Sequence, residues 1–266
     1  MTQNLFYSLA ALATLVPVSL LSRRREHARD GLFWGLLGLA VIGPLAWVLA
    51  QTAGTWRTGL STTLWVTVAS SMAMFAVMAA VTRQGWRLTT LMTPYMIGVG
   101  ILATVWQQAP EGQLAAKAPT GWVEVHIIVS VATYGLLTIA AVAALAAFLQ
   151  ERAMKSKRPT PLTHQLPSII DSEFMMVRLL MLCEIVLALG LATGMATQYE
   201  GTGSLLALDH KTVLTFTAFI VIGGVLAAHF RSGVRGRMVA RLVLLAYLLL
   251  TLGYPGVKFV TDVLMT

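Results

Sequence analysis

Eight apolar runs follow one another along the chain, separated by short polar breaks, and each is long enough to cross a bilayer as a helix. They lie near residues 4–22, 31–51, 60–82, 89–107, 122–150, 174–197, 209–230 and 238–262. The pattern predicts an all-α fold, a polytopic membrane helix bundle of about eight transmembrane helices, with residues 1–266 as a single transmembrane domain. The breaks QQAPEGQLAAKAPTG and QYEGTGSLLAL contain Gly or Pro and are too short for a separate domain. The longest break is ERAMKSKRPTPLTHQLPSIIDSEF. Its prolines interrupt helix, and LPSIIDSEF is expected to lie along the inner membrane surface before the sixth run. There is no internal repeat, low-complexity tract or phosphate-binding glycine loop.

Charge orients this pattern. One set of breaks holds Arg23, Arg24, Arg25, Arg29, Arg83, Arg87, Arg152, Lys155, Lys157, Arg158, Arg178, Arg231, Arg235, Arg237 and Arg241. The opposite set holds only Arg57, Lys117, Lys211 and Lys258. The richer set is expected to face the cytoplasm, which puts both termini on the periplasmic side. The formal charge of +8 therefore belongs to inner loops and points to membrane lipids as partners, with no nucleic acid. Only 11% of residues are charged and 57% are hydrophobic, well outside soluble composition. The single Cys183, inside an apolar run, allows no intrachain disulfide and no Cys-based metal site. No positive residue precedes the first run, so it reads as a retained span rather than a secretory signal.

Three histidines stand at the ends of apolar runs. His126 opens the fifth, His210 opens the seventh and His229 closes it. His210 and His229 are separated by about 28 Å of helix, nearly the hydrocarbon thickness, so one small ligand cannot touch both. His126 and His210 belong to the outer side and face one another if the fifth and seventh runs pack together. Intramembrane histidines are functional candidates by default, and a pair at one depth suits a haem iron. Around His126, Ser130 and Thr133 follow helical spacing, with Tyr134, Gly135 and Thr138 nearby. Such small and hydroxyl residues suit either plain helix packing or a flat cofactor.

The plainer readings stand beside these. A histidine at a helix end can bond a loop carbonyl and do nothing else, and His229 can complement a helix C-terminus. His27 and His164 sit in inner loops and read as solvated. Glu184, placed about two turns from the inner end of the sixth run, needs a partner if charged, and Glu124 could support the His126 ring. No motif resembles a nucleophile, a carboxylate pair or a zinc helix, so catalysis is not expected.

The stretch DHKTVLTFTAFIVIGGVLAAHFRSGVRGRMVARLVLLAYLLLTLGYPGVKFV resembles the cytochrome c assembly superfamily of membrane haem proteins, and within it the YpjD/HemX-like branch. Asp209, Lys211, Thr212, His229, Arg231 and Gly233-Val234-Arg235-Gly236-Arg237 fall where that family has an acidic helix start, a closing histidine and a Gly-x-Arg-Gly-Arg turn. His126 matches the histidine that begins an earlier family helix. LPSIIDSEF followed by VRLL also matches. The resemblance covers residues 120–266, and residues 1–110 carry little of it. The family's haem exporters have a Trp-rich loop before the seventh helix and a second outer histidine after the last. Both are absent, and His210, at the start of the seventh run, is expected to replace that histidine.

The resemblance implies haem b, one bound near the outer face by His126 and His210 with Ser130, Thr133 and Tyr134 beside it, and a second at His229. The implied role is haem handling, sensing or cytochrome c assembly support. The alternative is a cofactor-free accessory subunit or transporter linked to magnesium efflux. Glu184, Asp209 and Asp262 are then the available oxygen ligands, and another membrane protein of cytochrome assembly or cation efflux is the partner.

Overall fold

A computed structural model describes residues 2–24, 29–53, 59–108, 121–205 and 209–260, and the following holds for those residues. Eight helices are long and apolar enough to cross a membrane. In chain order the helices are α1 (Thr2–Arg24), α2 (Gly31–Thr52), α3 (Leu60–Val81), α4 (Thr89–Val105), α5 (Gly121–Ser156), the single turn α6 (Pro161–Gln165), α7 (Ile169–Thr202), α8 (His210–Ser232), α9 (Arg237–Thr251) and a last turn α10 (Val257–Phe259). The expected runs thus reappear, the sixth as α7, the seventh as α8 and the eighth as α9 onward. Arg57, Lys117, Asp262 and His27 lie outside the described residues.

Polar residues at the breaks set several helix starts. The carboxylate of Asp30 accepts from Phe33 N–H at 2.9 Å, and that of Asp209 accepts from Thr212 N–H at 2.8 Å. Ser168 Oγ accepts from Asp171 N–H at 3.1 Å and starts α7 at Ile169. This cap corrects the expectation for LPSIIDSEF. Only Leu166-Pro167-Ser168 is a connector, and Ile169–Phe174 is the first part of α7. Ahead of it, Gln150 Nε2 donates to the carbonyls of Thr163 (2.8 Å) and Pro167 (3.1 Å), pinning the connector to α5.

The helices form two neighbouring groups. In the first, α1 packs on α2 and α4, and α3 packs on α2 and α4. Ser8 of α1 accepts from Trp65 Nε1–H of α3 at 3.2 Å and lies 2.9 Å from Thr104 Oγ1 of α4, a polar tie within an apolar interior. In the second, α5 is central and packs along α7 and against α9, while α8 packs on α9 and α7. The groups meet where α3 touches α5. The cause lies in the side chains of α5. From Leu137 to Ala144 every residue is buried, and five of the eight are alanine or threonine. Small side chains let neighbouring backbones approach closely where lipid offers no hydrophobic drive for association.

That arrangement corrects a second expectation. The fifth and seventh runs were expected to pack together, but the chief neighbour of α5 is α7, and the main partners of α8 are α9 and α7. Both α5 and α7 also outrun their apolar cores. At 36 and 34 residues they are about 54 and 51 Å long, against about 30 Å of hydrocarbon.

Candidate functional site

His126 lies on the second turn of α5 and its half-buried ring rests on α7, not on α8. Its Nδ1 is 3.1 Å from Thr193 Oγ1. The single hydroxyl proton of Thr193 is directed at the carbonyls of Leu189 (2.9 Å) and Gly190 (3.1 Å) of its own helix. Toward His126 the hydroxyl is therefore an acceptor, which assigns the imidazole proton to Nδ1 and leaves a lone pair on Nε2. Ser130 Oγ lies 3.5 Å from Nε2, too distant to occupy that lone pair firmly. Gly194 supplies the space, because a Cβ there would come within 3.1 Å of the ring's Cε1. Thr193 and Gly194 were missed from sequence. Their signal, a Thr-Gly pair toward the C-terminal end of the sixth run, is common in membrane helices.

The remaining expected site residues are dispersed. Thr133 is buried and turned to its own helix, donating to Val129 O at 2.8 Å, and its carbonyl lies 3.7 Å from Cys183 Sγ. Tyr134 belongs to a separate hydroxyl cluster. Its hydroxyl is 2.9 Å from Thr251 Oγ1 and 3.3 Å from the hydroxyl of Tyr247, which also meets that of Tyr95. Glu124 is exposed, and Thr193 takes the ring-supporting place foreseen for it. His164 is exposed on α6.

His210 is the first residue of α8 and exposed. Beside it, the Thr212 N–H donated to the Asp209 carboxylate holds that carboxyl below its usual range. His229, at the other end of α8, is half-buried with Nδ1 3.2 Å from Val234 O. A carbonyl only accepts, so Nδ1 carries the proton and Nε2 keeps its lone pair, as at His126.

The turn after His229 is built around two glycines. Gly233 has φ +63° and closes α8, its N–H donating to His229 O at 3.1 Å. Gly236, at φ +78° and ψ −149°, occupies a region open only to glycine. Its N–H donates to Glu173 Oε1 of α7 at 2.9 Å, and Arg237 Nε lies 3.6 Å from Glu151 Oε1 of α5. The Gly-x-Arg-Gly-Arg turn thus docks α8 and α9 onto two acidic residues at the basic end of the central pair. Among the described residues, no three His, Cys, Asp or Glu side chains cluster as a metal site. Glu184 stands mid-way along α7 and Asp209 caps α8, so the oxygen ligands considered for magnesium are apart.

These features define a multi-pass helical membrane protein whose spanning helices carry imidazoles engaged through Nδ1 near both ends. Residues 33–265 match the description of the cytochrome C assembly protein family, and the chain belongs to that family. The match begins in α2, ahead of the stretch on which the motifs were read. The chain is 58% identical over 270 residues to the "uncharacterized 28.8 kDa protein in nifR3-like 5′ region" of Azospirillum brasilense, covering all of both chains. It is 26% identical over 183 residues to the inner membrane protein YpjD of Escherichia coli K12, covering 68% of this chain and 66% of the relative. No solved structure matches significantly.

Proposed function

We propose that the protein is a haem-b-binding protein of the bacterial inner membrane, acting in haem handling, sensing or support of cytochrome c assembly. The observation that carries this reading is the fixed tautomer of His126. Thr193 holds Nδ1–H, Gly194 leaves room for the ring, and Nε2 is left as a neutral nitrogen donor. Metal-bound histidines characteristically donate their other ring N–H to a fixed acceptor. The residues present therefore fit an iron porphyrin at His126. His210 is the proposed second ligand, from the same end of the bundle, and its exposure leaves it free to approach. His229 meets the same tautomer criterion and is the candidate for a second haem. A haem held by two imidazoles supplies one-electron exchange rather than oxygen activation. The chain's own contribution is to fix the tautomer, orient the ring and exclude lipid from one side of it.

The test is the absorption spectrum of protein purified after expression with ample haem. The expected result is a Soret band that is lost in His126→Ala and shifted or weakened in His210→Ala. A wild-type protein with no Soret band sinks the reading. If His210→Ala leaves the spectrum unchanged, the second ligand comes from elsewhere.

A further inference from the structure

Glu184 is a carboxylic acid in the middle of a spanning helix, and none of the contacts described so far uses it. It lies 15 residues after the start of α7, about 22 Å along the axis, deeper than the sequence suggested because α7 begins at Ile169. Its Oε1 points at α8, where a Cβ on Gly223 would come within 2.9 Å of it. Its Oε2 is shut off from solvent and has no hydrogen-bond partner among the described residues.

Among the described residues of the helices packed around it, no cation stands at this depth. On α7 the neighbouring titratable groups are Cys183, turned to Thr133 O of α5, and Arg178, six residues away with its guanidinium 4.0 Å from the Phe174 ring. On α8 there is no titratable side chain between Lys211 and His229, respectively about 18 and 9 Å along the helix from Gly223. On α5 the only one between His126 and Glu151 is Tyr134, whose hydroxyl is engaged by Thr251 and Tyr247. On α9 it is Tyr247, also in that cluster, with Arg241 nearer the basic end.

An ionised carboxylate in hydrocarbon without a counter-charge is prohibitively costly, whereas a neutral acid is tolerable, and such residues mark proton sites in membranes. We propose that Glu184 is a membrane-embedded proton-binding site: its carboxyl carries a proton against Gly223 of α8. The ligand is H⁺, and the proposal stands whether or not haem is bound.

The test treats the full chain in native membranes with dicyclohexylcarbodiimide, which partitions into lipid and reacts with the acid form. The carboxyl proton passes to one carbodiimide nitrogen while a carboxyl oxygen bonds the central carbon. The O-acylisourea then rearranges to a stable N-acylurea with nothing lost. Peptide mass spectrometry is expected to find the adduct on Glu184 at neutral pH, to lose it in Glu184→Gln and to show several-fold less of it in alkaline buffer. An infrared C=O band of a protonated carboxyl, absent from Glu184→Gln, gives a second readout that needs no reagent access. Equal labelling by a membrane-impermeant carbodiimide would mean a carboxyl open to water and would overturn the proposal. So would absence of the infrared band from the folded wild type.

Discussion

Thr193 decides what His126 can do. Without its hydroxyl the Nδ1–H loses its side-chain acceptor, so Nε2 is held less firmly as the donor. Thr193→Val is expected to weaken haem retention about 10- to 100-fold, the usual cost of losing the group that orients a metal-bound histidine, while Thr193→Ser retains it. Haem titration of the purified variants, followed at the Soret band, checks this. A Gly194→Ala variant separates room from hydrogen bonding. Its added Cβ forces a ring shift of a few tenths of an ångström, so a smaller loss than in Thr193→Val is expected. His126 itself was legible in the sequence as a polar ring at the start of an apolar run. Its partner was not, because hydropathy identifies spans but not which face of which helix meets a given side chain.

At the scale of elements, the caps and turns carry the testable chemistry. Gly236 cannot accept a side chain without strain, and Gly236→Ala is expected to destabilise the fold by about 1–3 kcal/mol, read as a lower thermal midpoint in detergent. Glu173→Gln retains an acceptor for the Gly236 N–H and is expected to cost less than Glu173→Ala. The Asp209 cap has a pH signature. Its carboxyl is held below the unfolded value of about 3.9, so the cap contributes fully above that pH and is lost as pH falls through the lower folded value. Asp209→Asn, a neutral cap, is expected to remove this acid sensitivity while leaving α8 intact at neutral pH. The position is exposed, so the effect is modest. Asp209, Gly233 and Gly236 stood out in the sequence only as matches to the family motif; their roles as cap and turn residues come from the structure, as do the extra turns of α5 and α7. Those turns carry charged and polar residues such as Glu151, Asp171, Glu173 and Glu200, so hydropathy ends both helices early, and the Ser168 cap sets where α7 begins.

For the whole molecule, the eight apolar helices of the described residues, taken with the bias of basic residues to one set of breaks, predict that both ends of the chain lie on the periplasmic side. Reporter fusions check this. A periplasm-active phosphatase joined after Phe259 is expected to be active, and the same enzyme inserted after Lys157 inactive. The number of spans and the all-helical class followed from hydropathy alone. The order of packing did not, because alanine-rich α5 attracts neighbours on every side and the sequence does not rank them. The two longest helices are joined at the His126–Thr193 contact and the Cys183–Thr133 contact. They therefore behave as one beam that is longer than the bilayer is thick. When lipid composition thins or thickens the membrane, the beam leans as a unit rather than sliding helix past helix. The seat of the imidazole is carried along with it, so its geometry is insulated from the thickness of whatever bilayer surrounds it.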